Sequence, residues 1–352
     1  MRVVVLGADG LLGRSVCAEM SGRGHEVIGV RPHGGLSDAL RPMPTSTTYG
    51  RSTQDLPGSG EVPVAGAARL VPLDIVDATD TTLDAALHGA GVVVHALAVD
   101  DREARPMSPT AHYQRLLIGP TVRILRAAIR QNVGHVVILG SAYATFDRMH
   151  PEWGLARHHP YIQARVEQAR RAAEAAAGSA TLVSVIETPS VFGVLPGAVP
   201  AWRAAFLGTL RHGPVALALP GGAAAVTHED VAYAVAGLAE GTIPPGRHPV
   251  AVDNITHRRL ARLVADELGR HPRTVVLRGA SVGIALRGQG RRLWHRSMPF
   301  GLDPVRVGHD LLTRTLFLDT ETNGAALGLT PRRLDDAVRM TVRAAYPHLV
   351  GG

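Results

Sequence analysis

The chain contains no lysine. All 37 of its basic residues are arginine, so no step can run through a lysine amine, either as a Schiff base or as a general base. Cysteine occurs once, at Cys17, which excludes an internal disulfide framework. Its place on the first expected helix reads as packing rather than nucleophilic chemistry. Aromatic residues make up only 4% of the chain, so the core must come mainly from Val, Leu, Ile and Ala. No apolar run approaches the ~18 residues that a membrane span requires. Met1-Arg2 leads straight into an apolar run, with no room for a signal peptide. These absences predict a cytoplasmic protein with no membrane partner.

What is present narrows the class further. A length of 352 residues accommodates one large α/β domain or two smaller ones. The net charge of +7 is spread along the chain rather than gathered beside aromatics. That distribution predicts an anionic small molecule as partner and no nucleic acid.

Gly7-Ala8-Asp9-Gly10-Leu11-Leu12-Gly13 follows the β-branched run Val3-Val4-Val5-Leu6 and precedes a segment that can continue as a helix. Strand, glycine turn and helix is the setting of a dinucleotide-binding turn, and an ordinary strand-turn-helix shares it. In the binding case the first glycine lets the chain reverse. The second lets backbone approach a pyrophosphate, and the third lets helix and strand pack closely. The helix N-terminus adds unpaired N–H groups and partial positive charge. His25-Glu26-Val27-Ile28-Gly29-Val30 reads as the second strand. A NAD-preferring site carries Asp or Glu at its end for the ribose hydroxyls. This chain has Arg31, which can instead hold a 2′-phosphate, so NADP is the expected cofactor, with NAD as the alternative.

Residues 32–66 are rich in Pro, Gly, Ser and Thr and read as a long connection, with one helical turn at most over Ser37–Arg41. A third strand over Arg69–Asp77 ends in carboxylates, and a helix through Leu83, Ala86 and Leu87 follows. Gly91–Ala98 reads as a buried strand, and Thr110–Gln131 as a long amphipathic helix. Then come a strand over Val136–Leu139, a helix over Tyr161–Ala177 and a strand over Leu182–Ile186. This alternation predicts an α/β fold, a Rossmann-type doubly wound parallel sheet.

The order of motifs resembles the extended short-chain dehydrogenase/reductase family, also called the NAD-dependent epimerase/dehydratase family. Gly7, Gly10 and Gly13 match its G-x-x-G-x-x-G turn, and Asp74 its acidic residue after the third strand. His95-Ala96-Leu97-Ala98 matches the small-residue turn beneath the cofactor. Ser141 falls at the catalytic Ser/Thr, and Tyr161-Ile162-Gln163-Ala164-Arg165 at the Tyr-x-x-x-Lys motif. Thr188-Pro189-Ser190-Val191-Phe192-Gly193 resembles the R-P-x-x-V-Y-G turn, and Leu327–Arg332 the C-terminal Leu-Gly-Trp-x-Pro stretch. Thr227 and Asp230 sit in the family's strand-to-helix element, where their spacing equally makes a capping box.

The resemblance implies a dinucleotide-binding domain over 1–192, its sheet completed by about 223–253. It implies a smaller C-terminal substrate-binding lobe over about 193–222 and 254–352. Together with Arg31, the implied cofactor contacts are Gly7, Asp9, Gly10, Leu11, Leu12, Gly13, Asp74, Ile75, Ala96, Leu97, Ala98, Tyr161, Arg165, Pro189 and Val191. The implied catalytic residues are Ser141, Tyr161 and Arg165. In the family, the tyrosine exchanges a proton with a carbonyl or carbinol while hydride passes to or from nicotinamide.

The motif departs from the family at three points. Arg165 replaces the lysine that lowers the tyrosine pKa and holds the nicotinamide ribose. Tyr161 and Arg165 at i and i+4 still share a helix face, but a guanidinium cannot relay a proton by losing one. Leu117 replaces the asparagine that supports a proton-relay water in many relatives, and Pro120 should bend its helix or remove a hydrogen bond. Thr188 replaces the arginine before the family's proline. Three readings stay open: an NAD(P)-dependent oxidoreductase acting on a sugar derivative or natural-product intermediate, a non-redox epimerase, dehydratase or cyclase, and a cofactor-binding sensor without activity.

Other residues carry two readings each. His158 and His159 are acid/base groups at a site mouth or exposed loop residues. With His150 they lack the Cys or carboxylate set a metal requires, so no metal is expected. Tyr143 is a spare hydroxyl near Ser141. Trp202 and Phe206 pair within an expected helix over Pro200–His212. Arg291, Arg292 and Arg296 are a diphosphate site or a solvated basic face. The helices over Thr110–Gln131 and Tyr161–Ala177 form the dimer bundle in many family members, so a homodimer is expected, although arginine crowds both.

Overall fold

Valine-rich runs at the start of the chain become parallel strands in a computed structural model. It describes residues 1–32, 64–97, 99, 108–196, 198, 200, 202–203, 215–277, 301–329 and 334–349. In chain order the elements of the first half are β1 (Arg2–Leu6), α1 (Leu11–Gly22), β2 (Glu26–Pro32), β3 (Arg69–Leu73), α2 (Asp80–Leu87) and β4 (Val92–His95). Next come α3 (Pro109–Tyr113), α4 (Gly119–Arg130), β5 (His135–Ser141), α5 (Ala142–Met149), α6 (Leu155–His158), α7 (Pro160–Ala176) and β6 (Leu182–Thr188).

These strands form one seven-stranded sheet in the order β10-β6-β5-β4-β1-β2-β3, where β10 is Arg247–Pro249. Every neighbouring pair is parallel. The doubly wound α/β expectation is therefore met. The central strands β4 and β5 are buried along their whole length, as strands covered on both faces must be. Their side chains alternate between two cores. Val4, Leu6, Val93, Val136 and Ile138 pack with α2, α4 and α7 on one face. Val3, Val5, Val94, Val137 and Leu139 pack with Val16, Cys17 and Met20 of α1 on the other. Cys17 is fully buried, and burial pushes its thiol pKa up to about 12. Within the large sheet, Pro72 and Pro249 lie on the two edge strands, where a missing N–H is tolerated.

Three local outcomes differ from the sequence expectation. The third strand stops at Leu73, because Asp74 Oδ1 accepts the backbone N–H groups of Val76 and Asp77 at 3.0 Å each and turns the chain. The Thr110–Gln131 helix is interrupted by a π-helical turn over Gln114–Ile118. It lies just before Pro120, whose missing N–H cannot continue the regular ladder. The helix α5 was not expected at all. Ser141 is its N-cap, accepting the N–H of Tyr143.

Beyond β6 the chain leaves the sheet at Pro189. Strand β7 (Ser190–Phe192) pairs instead with β9 (Gly222–Thr227), which also pairs with β11 (Asp253–Thr256) and β13 (Thr315–Leu316). Of the segment 223–253, only Arg247–Pro249 joins the large sheet. Pro189 explains the break, since it has no N–H to extend the ladder from Thr188. A two-stranded parallel pair is made by β8 (Val215–Ala218) and β12 (Arg273–Val276). The remaining helices are α8 (His228–Ala239), α9 (His257–Glu267), α10 (Thr320–Ala326) and α11 (Leu334–Ala345). Thr227 and Asp230 form the capping box that starts α8, with Asp230 N donating to Thr227 Oγ1 at 3.1 Å. The expected helix over Pro200–His212 and the basic stretch with Arg291, Arg292 and Arg296 lie outside the described residues, apart from a few positions near Trp202.

Candidate active site

The strand order reverses direction between β1 and β4, so their C-terminal turns flank a crevice where α/β sheets bind ligands. The glycine turn forms one wall. The N–H groups of Gly7 and Ala8 both donate to Val30 O, at 2.8 and 3.0 Å, which ties the turn to β2. Gly7 has φ +84°, and a Cβ there would stand 3.0 Å from the Ala96 carbonyl in the turn after β4. A Cβ at Gly13 would stand 2.0 Å from Gly7 O. Both glycines are required by the protein's own packing. Gly10 is different: its Cβ would meet only Gly7 O, at 3.5 Å. Nothing described in the fold demands a glycine there, and the backbone at Gly10 is open to close approach. Helix α1 has no side-chain cap and no acidic residue in its first turn, leaving its N-terminal N–H groups for an anion. These features fit a dinucleotide pyrophosphate.

The other cofactor candidates fall around the same crevice. Burial pushes the Asp9 carboxyl above its ordinary value, while the nearby Arg14 and Arg31 guanidiniums pull it down. Arg31 therefore stands close to the glycine turn. Leu12, Ala96 and Val191 are partly buried against the same core as α1. Leu97 and Ile75 are buried, and the Ile75 carbonyl accepts from Arg123 Nη1. Leu11 and Pro189 are half-buried, Asp74 makes the turn described above, and Ala98 lies outside the described residues.

The acid/base candidates come from β5 and α7. Tyr161 and Arg165 are both buried, and Arg165 Nε donates to Tyr161 OH at 3.1 Å. Arg165 Nη1 also donates to Leu139 O on β5 at 3.3 Å, two residues before Ser141. The arginine thus bridges the tyrosine helix to the strand that ends in Ser141. Tyr113 and Tyr143 pack edge-on around the Tyr161 ring, with centroids 5.6 and 6.4 Å away. Thr188 donates to Gly140 O at 2.8 Å and so joins β6 to β5.

His158 and His159 are not exposed loop residues. His159 is fully buried and its Nδ1 accepts the N–H of Asp303 at 3.0 Å. His158 Nδ1 stands 3.2 Å, and His159 Nε2 3.4 Å, from Asp310 Oδ2. His309 Nδ1 stands 2.8 Å from Asp310 Oδ1. Burial alone would raise the Asp310 carboxyl, but the surrounding histidines hold it well below the ordinary carboxylate range. Tyr161 N donates to Gly301 O at 2.8 Å. The segment 301–316 is therefore latched onto the start of the tyrosine helix. His150 stacks on Trp153 instead, 3.8 Å between centroids. Among the described residues no group of three His, Cys, Asp or Glu is placed to hold a metal ion.

A second buried charge lies nearby. Glu187 at the end of β6 is fully buried and accepts from Thr145, Arg148 and Arg247. Burial pushes its carboxyl up, but these donors outweigh that and hold it below its ordinary value.

The family model described as "NAD dependent epimerase/dehydratase family" matches residues 3–207. An uncharacterized protein of Mycobacterium tuberculosis, Rv2047c, is 28% identical over 145 residues, which is 41% of this chain and 12% of that relative. The chain thus spans only a small part of that relative's length. Among solved structures, gox2253 is similar with a TM-score of 0.70 at 17% identity, over 98% of this chain and 97% of that one. MoeE5 in complex with UDP-glucuronic acid and NAD gives 0.61 at 17%, over 99% and 100%. A UDP-galactose 4-epimerase gives 0.61 at 18%, over 99% and 100%. At these identities the likeness is one of fold. No helix among the described residues is long and apolar enough to cross a membrane.

Proposed function

Because the chain belongs to the NAD dependent epimerase/dehydratase family, we propose that it is an NAD(P)-dependent oxidoreductase that moves hydride to or from a carbonyl or carbinol of a small metabolite. The bound nicotinamide supplies the hydride donor or acceptor. Tyr161 exchanges its hydroxyl proton with the substrate oxygen, and Ser141 Oγ hydrogen-bonds that oxygen. Arg165 holds Tyr161 and offers charge and hydrogen bonds to the nicotinamide ribose. The observation that carries this reading is the 3.1 Å donation from Arg165 Nε to Tyr161 OH. It occupies a lone pair of the phenol oxygen and leaves the phenol proton free to point at a substrate.

NADP is the proposed cofactor, with NAD as the alternative. Arg31, near the end of β2 and close to Asp9 of the glycine turn, supports it, since a guanidinium there suits a 2′-phosphate. The proposed substrate is a sugar derivative or natural-product intermediate. A UDP-sugar complex and a UDP-sugar epimerase among the similar folds support the sugar class. They also favour a second reading, in which the site epimerises or dehydrates such a substrate on the same scaffold. A homodimer through α4 and α7 is supported by two of their arginines, which are already paired with carboxylates of the same chain. Arg130 pairs with Asp84 at 2.7 Å, and Arg170 pairs with Glu167 and Glu174. We place the protein in the cytoplasm.

The test is calorimetric binding of NADPH and NADH to the wild type and to the Arg31→Ala and Gly10→Val variants, with nicotinamide absorbance followed against a panel of ketones, alcohols and nucleotide sugars. NADPH binding lost in Gly10→Val, with turnover lost in Tyr161→Phe, establishes the oxidoreductase. A nucleotide sugar converted without net change in nicotinamide establishes the second reading. Binding with no conversion of any kind refutes both and leaves a cofactor sensor.

A further inference from the structure

Behind Tyr161 lies a line of buried polar side chains that the proposed reaction does not itself use. Arg165 is 5% exposed and has no carboxylate within ion-pair reach among the described residues. Its Nη1 donates to Gln168 Oε1 at 3.0 Å. Gln168, 1% exposed, donates from Nε2 to Thr121 Oγ1 at 2.9 Å. Thr121 is fully buried, and its hydroxyl donates to Leu117 O at 2.8 Å. His95 Nε2 stands 3.0 Å from the same Thr121 oxygen.

The donors and acceptors can be counted. A threonine hydroxyl has one proton, and Leu117 O can only accept, so that proton is spent on the carbonyl. Thr121 Oγ1 must then accept from both Gln168 and His95. His95 therefore carries its hydrogen on Nε2, and its buried Nδ1 has no partner. Burial, reinforced by the Arg165 charge, pushes the His95 pKa down to about 4, so the imidazole is neutral with one N–H to give. Every hydrogen bond in the line then has one direction, running from His95 and Gln168 into Thr121 and from Arg165 into Gln168 and Tyr161.

We propose that Gln168, Thr121 and His95 are positioning residues whose hydrogen-bonded line fixes the Arg165 guanidinium against the Tyr161 hydroxyl. This rests on the reading that Tyr161 and Arg165 are the reacting pair. A free arginine side chain has many rotamers, and one contact to Leu139 O does not select among them. The Gln168 amide supplies the second acceptor for Nη1. Thr121 stops that amide from turning over, because its Nε2 has an acceptor only in the observed orientation. The line orients and does not conduct: it ends on a guanidinium, which does not release a proton.

The test uses full-length protein labelled with 15N in arginine and, separately, in histidine. Arg165→Gln identifies the Arg165 Nε–H resonance, and its exchange with solvent is then measured. Gln168→Met keeps the side-chain length but removes the amide. It should speed that exchange by roughly tenfold, the weight of about one net hydrogen bond. Gln168→Glu keeps an acceptor for Nη1 and should leave the exchange within about twofold of the wild type, well inside the weight of one bond. Thr121→Val should also speed the exchange and shift the His95 Nε2 signal. Where turnover is observed, Gln168→Met should lower kcat with KM nearly unchanged. Equal exchange rates in the wild type and Gln168→Met would overturn the proposal, as would a His95 with its hydrogen on Nδ1. Neither resonance readout needs turnover, so a failure of the oxidoreductase reading is seen separately, as absent cofactor chemistry in a protein whose line is intact.

Discussion

The neutral His95 makes a quantitative claim about acid stability. Its folded-state pKa of about 4 lies below the ordinary 6.5. Above the ordinary value both folded and unfolded chains leave the ring neutral, and no difference arises. As pH falls below 6.5 the unfolded chain takes up a proton that the folded chain refuses, so stability is lost as pH falls. The slope for this one group approaches about 1.4 kcal/mol per pH unit, and it accumulates to about 3 kcal/mol by pH 4. By pH 5 it already amounts to about 2 kcal/mol, a large share of a typical domain's stability. His135 and His257 are also held below the ordinary value by burial, so the wild-type slope contains more than one histidine. The difference between wild type and His95→Gln isolates the term, since a glutamine amide can still donate to Thr121 but does not titrate. Urea unfolding of both proteins from about pH 7.5 to 4.5 measures it. The gap between the two curves should close in favour of the variant as pH falls. Parallel curves would mean that His95 protonates in the folded protein as readily as in the unfolded one, and the assignment of donors and acceptors along the buried line would be wrong.

Three further outcomes are expected. Gly10→Ala should fold with stability within about 1 kcal/mol of wild type, because its Cβ meets only Gly7 O, yet weaken NADPH binding by roughly tenfold or more; Gly13→Ala should lose about 3 kcal/mol or more, because its Cβ collides with Gly7 O. Denaturant midpoints and calorimetry separate the two, and equal behaviour of both variants would refute the distinction. Glu187→Ala should cost about 3 kcal/mol in denaturant unfolding, since it leaves Arg148 and Arg247 facing a buried hole. Asp310→Asn should cost about 1–3 kcal/mol and speed proteolysis within residues 301–316, since it weakens the latch to His158 and His159; an unchanged cleavage pattern would show that the latch does not hold that segment.

Much of the fold was legible because periodicity and punctuation agree. The valine runs at Val3–Val5, Val92–Val94 and Val136–Val137 are continuous apolar strands, which only a sheet covered on both faces can bury. The glycine turn and Arg31 were legible as local patterns next to strand ends. The lost details are those that a side chain decides. Asp74 turned the third strand early by accepting two backbone N–H groups, and Ser141 capped a helix that had not been expected after its strand. Pro189 sent the chain into a second sheet, an outcome that depends on which ladder a missing N–H interrupts.

The candidate site was legible in its first layer and not in its second, for a physical reason. Tyr161 and Arg165 share a helix face at i and i+4, and Gln168 at i+7 continues that face, so the sequence carried a signal for Gln168. It carried none for what Gln168 would meet. Thr121 lies on another helix and His95 on a strand, and only the fold brings their polar atoms within 3.0 Å. The substitution that looked most damaging, arginine for lysine, is also the one that makes the line necessary. A lysine ammonium is a point charge that rotation barely alters, whereas a planar guanidinium does its work only in one plane. Fixing that plane takes an acceptor for Nη1 and a partner that keeps the acceptor turned the right way. Gln168 and Thr121 supply these two, so the surroundings of Arg165 are those of a guanidinium built into the site rather than of a lysine lost from it.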